Sequence, residues 1–76
     1  MEFTNKYDLQ GVHGAQNFRN LAEGVKLRLS DGRIGEITGN PGDGAYVMLR
    51  ITEAPDASEI GEEKYIYFAD VKEAFD

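Results

Sequence analysis

Apolar and polar residues alternate along the chain after residue 24, which is the pattern of strands that bury one face. The alternation first covers 25–29 and resumes over 34–38, on either side of an Asp31-Gly32 pair. Asp-Gly is typical of tight hairpin turns because it tolerates the backbone angles that such turns require. The pattern therefore predicts a hairpin, and Gly35 within its second strand predicts a bend or a close approach of another backbone.

Two later segments, 45–51 and 64–68, are also predicted to be strands, and both carry apolar side chains on each face. One face holds the residues predicted to fill the core: Val47, Leu49, Ile51, Ile66 and Phe68. The opposite face holds a second set: Tyr46, Met48, Tyr65 and Tyr67. The Gly-rich segment 39–44 is predicted to be a turn, and 53–63 to be an acidic loop.

Residues 1–23 are predicted to form an N-terminal arm that belongs to the same compact domain as the strands. Within the arm, 15–23 is predicted to be a short helix, because apolar residues recur there at roughly helical spacing. Gly24 is a natural helix stop. A helix of this length is not stable alone in water, so we expect it to lie against the rest of the protein.

The chain is predicted to end in a helical turn. Asp70 and Glu73 have the spacing of a capping box, in which the first side chain bonds a backbone N–H of the first helical turn and the second reaches back. A helical turn at this position would direct three apolar residues toward the core: Val71, Ala74 and Phe75.

Short strands, Gly-rich turns and a late helical turn are typical of a small, mainly β barrel. Segment 24–37, which opens with Gly24-Val25 and carries the Asp31-Gly32 turn, resembles the first hairpin of SH3-like barrels, and in particular the KOW-type version. Segment 64–68 is similar to a late strand of CAP-Gly domains, although their Gly-Lys-Asn-Asp-Gly signature is missing. The resemblance implies an SH3-like barrel over 24–76, preceded by the helical arm.

KOW-like domains commonly contact RNA or ribosome-associated proteins, so the resemblance implies one alternative function, a nucleic-acid or ribosome-associated module. The contacts would come from four basic residues: Lys26, Arg28, Arg33 and Arg50. The net charge of the chain is −6, and the whole acidic excess lies in 51–76. Nucleic-acid backbones attract basic surfaces, so this charge disfavours nucleic acid as a partner.

The composition excludes several kinds of chemistry. The chain has 76 residues and no cysteine, so disulfides, cysteine-bound zinc and thiol catalysis are impossible. The lack of cysteine favours a reducing compartment, and we expect a cytoplasmic protein. The first residues do not resemble a signal peptide, and no apolar run approaches the roughly 20 residues that span a bilayer, so no membrane partner is expected.

Catalysis is the least favoured hypothesis. His13 is the only histidine, and a general base or a metal site needs partners that converge on it. The acids of 53–63 lack the spacing of a calcium loop, and 39–44 lacks the lysine and helix of a phosphate loop. The sequence therefore predicts no catalytic residue, no metal and no cofactor.

The leading hypothesis concerns the face that carries the tyrosines. If 45–51 and 64–68 are neighbouring strands, one contiguous apolar patch is formed by Tyr46, Met48, Tyr65 and Tyr67. A soluble monomer rarely leaves such a patch bare. The cover is either the chain's own arm, through Phe18 and Leu21, or a partner protein, or the arm of a second copy in a homodimer. The chain is thus predicted to be a non-enzymatic protein-interaction module that binds another protein, or itself, through these residues.

Overall fold

Five antiparallel strands in one sheet form most of the structure, a computed structural model that describes Leu9 and residues 13–75. The strands are β1 (Lys26–Leu29), β2 (Ile34–Gly39), β3 (Tyr46–Glu53), β4 (Glu63–Tyr67) and β5 (Val71–Phe75). One short helix, α1 (Gly14–Arg19), precedes them, and 3₁₀ turns lie at Ala57–Glu59 and Phe68–Asp70. The prediction of a mainly β fold is confirmed.

The strands lie in the order β4-β3-β2-β1-β5. Strands β1 to β4 follow one another as an antiparallel meander, and β5 returns across the fold to pair with β1. Strands β4 and β5 are the two edges, and no pairing between described residues joins them. The sheet is therefore open, and closure into a barrel is not part of its strand pairing.

The Asp31-Gly32 pair forms the predicted turn between β1 and β2. Gly32 has a φ of +95°, which favours glycine, and the Asp31 carboxylate accepts the backbone N–H of Arg33 at 3.1 Å. Leu27 then lies opposite Gly35 in the ladder. The predicted hairpin is confirmed, and its turn residues act through backbone conformation and local hydrogen bonds.

The inner face of the sheet is the core that the alternation predicted. The largest side chains with almost no exposed surface are Phe18, Leu27, Leu29, Ile37, Val47, Leu49 and Ile51. Ile66 of β4 is also buried, and Phe68 packs against the same cluster although it is partly exposed. Alternate residues of β1 to β4 thus point inward, because side chains along a strand point to opposite faces.

Helix α1 is shorter than the predicted helix over 15–23: it begins at Gly14 and ends at Arg19. After the helix, the N–H of Leu21 bonds the carbonyl oxygen of Phe18 in a tighter turn. The N–H of Gly24 then bonds the carbonyl oxygen of Ile37, so the chain has reached β2. Phe18 holds the helix to the core, with its ring centroid 5.0 Å from that of Phe68. In the described part of the chain, no helix is long and apolar enough to cross a membrane.

The Asn40 side chain joins the end of α1 to the loop between β2 and β3. Its amide nitrogen lies 3.3 Å from the carbonyl oxygen of Phe18, 3.1 Å from that of Arg19 and 2.8 Å from that of Leu21. Its amide oxygen accepts the N–H of Gly42 at 2.9 Å. One amide group therefore binds carbonyls at and just after the end of the short helix and fixes the start of the loop.

The Asn40→Asp substitution is expected to lower the free energy of unfolding by about 2 kcal/mol at pH 7, because a carboxylate then faces carbonyl oxygens. Repulsion from these carbonyls raises the pKa of the introduced carboxyl in the folded state, so its protonation at low pH restores part of the stability. Urea unfolding at pH 7 and at pH 4 measures both effects. Asn40→Ala is the control, since it removes the donors without adding charge; identical pH profiles for the two variants would contradict the prediction.

The predicted helical turn after Asp70 is wrong: the residues Val71–Phe75 form strand β5. They pair with β1, whose second edge would otherwise have unpaired backbone groups, and the N–H of Ser30 bonds the carbonyl of Asp70 at 2.9 Å. The inward direction expected of Val71 and Ala74 is nevertheless found, since both belong to the core cluster, whereas Phe75 is buried outside that cluster. Arg28 pairs with Glu73 and Leu29 pairs with Val71, so β5 has one extra residue at this point, a β-bulge. Because of the extra residue, Val71 and Ala74 both point inward although they are three positions apart, a spacing that is also typical of a helix.

Candidate functional site

Four side chains on the outer face of β3 and β4 form a contiguous surface, the tyrosine patch. Its members are Tyr46 and Met48 on β3, and Tyr65 and Tyr67 on β4. Tyr46 lies directly opposite Tyr67 in the ladder, and Met48 opposite Tyr65. The exposed fractions of Tyr46, Tyr65 and Tyr67 are 45%, 66% and 46%. The structure therefore brings together all four residues that the sequence singled out, and it leaves their aromatic rings in contact with solvent.

The position of the patch follows from the core beneath it. Val47, Leu49 and Ile66 point inward from the same two strands and are buried, so their chain neighbours must point outward. The rings of Tyr46 and Tyr67 contact each other, with centroids 5.1 Å apart and planes inclined by 48°. Such a tilted pair stabilises the arrangement of both rings.

The N-terminal helix does not cover the tyrosine patch through the residues proposed for that purpose. Phe18 is 1% exposed and Leu21 is 4% exposed, but both belong to the core cluster on the inner side of the sheet. Phe18 reaches Phe68, which follows β4, and leaves the outer face of that strand exposed. The prediction that these two side chains form a second small core over the tyrosines is therefore wrong.

An open groove of about 460 Å³ borders the tyrosine patch and is lined by Pro41, Asp43, Tyr46 and Tyr65. Pro41 and Asp43 belong to the loop between β2 and β3. The Asp43 carboxylate accepts the backbone N–H groups of Ala45 at 2.8 Å and Tyr46 at 3.1 Å, both through Oδ1. These hydrogen bonds lower the pKa of Asp43, so its negative charge is maintained in the lining of the groove.

The sequence did not associate Pro41 and Asp43 with the tyrosines. Segment 39–44 was predicted to be a structural turn, and Asp43 does perform that role by bonding the first residues of β3. Its nearness to Tyr65, which lies on the next strand, depends on the path of the loop. The turn composition of the loop gives no signal of this path, so the groove could not have been found from the sequence.

The four basic residues of the nucleic-acid hypothesis are interspersed with carboxylates, although Lys26, Arg28 and Arg50 share the outer face of the sheet. Arg33 lies at the β1–β2 turn and pairs with Asp31 at 2.8 Å and with Glu59 at 3.2 Å. Arg28 pairs with Glu73 at 3.3 Å. Lys26 and Arg50 both lie opposite Glu36 in the ladder, on either side of β2. Each cation therefore has a neighbouring carboxylate, which reduces its attraction for phosphate.

The residues considered for catalysis or metal binding lie apart. His13 is exposed directly before α1, where its carbonyl accepts the N–H of Asn17. Asp56 in the acidic loop accepts the hydroxyl of Ser58 at 2.8 Å and its backbone N–H at 3.0 Å, and these bonds lower the pKa of Asp56. Leu9 and residues 13–75 contain no group of three or more His, Cys, Asp or Glu side chains placed to hold a metal ion.

Comparison of the chain with protein-family models, with curated proteins and with solved structures gives no match. Among the surfaces that the described residues form, the tyrosine patch and its groove combine exposed aromatic area, a fixed carboxylate and support from two paired strands. This combination is suited to binding another molecule by contact and charge.

Proposed function

We propose that this protein is a non-enzymatic protein-interaction module, and that the tyrosine patch is the surface through which it binds a partner protein. The observation that carries the proposal is the exposure of three tyrosines on two adjacent strands, two of them in ring contact. Tyrosine is enriched in the cores of protein interfaces, because it provides a large apolar surface with few rotatable bonds. The patch needs no rearrangement to act as such an interface.

We further propose that the sheet is an SH3-like barrel. The support comes from the meander whose last strand returns to the first, and from three interruptions of the ladder, at Ile34/Gly35, Ile37/Gly39 and Arg28/Leu29. Bulges bend strands and increase their twist, which a short sheet needs in order to curl around a single core. The proposed location is the cytoplasm, which the absence of cysteine supports.

The double substitution Tyr65→Ser/Tyr67→Ser is expected to weaken partner binding by at least about thirtyfold, because even one central tyrosine of an interface contributes about 2 kcal/mol or more. Quantitative affinity capture with the wild type and the variant measures this loss. Sedimentation equilibrium of the purified chain shows whether the bound protein is a second copy.

Ile60→Ser is the matched control, since Ile60 is 50% exposed and lies in the loop between β3 and β4, away from the patch. It removes a similar apolar side chain, and capture by this variant is expected to equal that of the wild type. Circular dichroism confirms that all variants retain the β fold. A folded double variant that captures the same proteins in the same amounts, and associates with itself to the same extent, would remove the basis of the proposal.

A further inference from the structure

The groove beside the tyrosine patch has mainly apolar walls and one negative charge among its described lining residues. Tyr46, Tyr65 and Pro41 provide apolar walls, and Asp43 is the one charged residue among the four described lining residues. Both bonds that hold the Asp43 carboxylate end on Oδ1, so within the described part of the chain Oδ2 is left for a ligand. The groove therefore offers aromatic faces and a carboxylate oxygen to whatever enters it.

We propose that this groove binds an arginine side chain of a basic segment of the partner protein. The proposal rests on the proposed function and specifies the chemistry that the tyrosine patch recognises. A guanidinium group stacks on aromatic rings and donates hydrogen bonds to carboxylate oxygens in the same plane. Tyr46 and Tyr65 provide the rings, and Asp43 provides the acceptor.

The charge of the whole chain favours a cationic occupant over the alternatives. The net charge is −6, and the acidic excess lies in 51–76, the part of the chain that contains β4. An acidic peptide or a phosphate group would be repelled by Asp43 at the groove and by this excess. A second copy also carries a net charge of −6, so the same repulsion acts against self-association. A basic segment is attracted, and its arginine gains from both the rings and the carboxylate.

The backbone around the groove fixes the carboxylate in place. The N–H groups of Ala45 and Tyr46, which bond Asp43, lead directly into β3, where Tyr46 begins the strand. Tyr46 in turn contacts Tyr67 on β4. The carboxylate and one ring are thus adjacent parts of one hydrogen-bonded turn, and little conformational freedom is lost when a ligand binds.

The proposal is tested by titrating the isotope-labelled chain with short peptides and following its NMR spectrum. The peptides share the sequence Gly-Ser-X-Ser-Gly, in which X is arginine, citrulline or glutamate. Citrulline has nearly the same shape as arginine without its charge. The arginine peptide is expected to shift the resonances of Asp43, Tyr46 and Tyr65, and to bind about tenfold more tightly than the citrulline peptide.

Two substitutions separate the contributions of charge and ring. Asp43→Asn keeps an oxygen for the N–H groups of Ala45 and Tyr46 but removes the charge, and it is expected to weaken arginine binding about threefold. Tyr65→Leu keeps an exposed apolar side chain but removes the ring face, with an expected loss of about threefold. Glu53→Gln, which removes an equal charge from the exposed end of β3, is the control and is expected to leave binding unchanged.

Equal binding of the arginine and citrulline peptides, or equal losses for Asp43→Asn and Glu53→Gln, would overturn the arginine site. So would shifts spread over the acidic residues of 51–76 instead of the groove. These outcomes are distinct from failure of the proposed function. If Tyr65→Ser/Tyr67→Ser abolishes capture of a partner while Asp43→Asn has no effect on it, the interaction module stands and the arginine site does not.

Discussion

The Phe18→Ala substitution is expected to lower the free energy of unfolding by about 3–5 kcal/mol, which is the usual cost of removing a buried phenylalanine ring. Phe18 is 1% exposed, and its ring contacts that of Phe68 directly after β4. A domain of this size has little stability to lose, because its core is small relative to its surface. Much of the variant is therefore expected to be unfolded at 37 °C. Urea unfolding followed by circular dichroism measures the change.

Gln16→Ala is the control for Phe18→Ala, because Gln16 lies in the same helix with its side chain exposed. Its effect is expected to stay within about 0.5 kcal/mol. Comparison of the two variants tests whether packing of α1 against the sheet contributes to the stability of the domain. If Phe18→Ala unfolds at the same urea concentration as the wild type, the strands fold without α1, and the helix contributes nothing to the core.

The Gly35→Val substitution is expected to cost about 3 kcal/mol, because β2 has no room for a side chain at this position. A Cβ on Gly35 would lie 2.5 Å from Cγ of Leu49 and 2.7 Å from the carbonyl oxygen of Arg50. The second contact is with backbone, which cannot move without disturbing the pairing of β2 with β3. Thermal unfolding shows the effect as a lower Tm, and Gly35→Ala is expected to give a smaller decrease in the same direction.

Gly39→Ala is the control within the same strand. The nearest atom to a Cβ at Gly39 is Cβ of Met48 at 3.7 Å, which is an ordinary contact. Replacing glycine by alanine at a compatible position also restricts the unfolded chain, so the Tm of this variant is expected to be unchanged or raised. A Gly35→Val variant as stable as Gly39→Ala would show that the β2–β3 register differs from the one described.

The sequence predicted β1 to β4 well because each of them has one buried face. Alternation placed Leu27, Leu49 and Ile66 in the core without any knowledge of the pairing. It also placed Met48, Tyr65 and Tyr67 on the patch. Gly35 was also recognised as a position of close backbone approach, and the carbonyl oxygen of Arg50, which would lie 2.7 Å from a Cβ at Gly35, confirms that prediction. These features are local, so local sequence was sufficient to find them.

The predictions that were wrong depended on contacts distant in sequence. The buried spacing of Val71 and Ala74 suggested a helix, because the bulge that shifts the register against β1 cannot be seen in the sequence of β5 alone. One of the three alternatives for the cover of the tyrosine patch placed Phe18 on the outer face, whereas Phe18 packs against Phe68 in the inner core. Residues 1–8 and 10–12 of the predicted arm over 1–23 lie outside the described residues.

The Asn40 amide has a consequence for how variants of this protein are interpreted. Its amide nitrogen donates to carbonyl oxygens of α1 and of the segment after it. Its amide oxygen accepts the N–H of Gly42, which lies between Pro41 and Asp43, the two loop residues that line the groove. Damage to the helix therefore loosens the anchorage of Pro41 and Asp43, although no helix residue lines their groove in the described structure. A loss of affinity in a helix variant would thus report a displaced loop, and only substitutions that leave this anchor intact measure recognition itself.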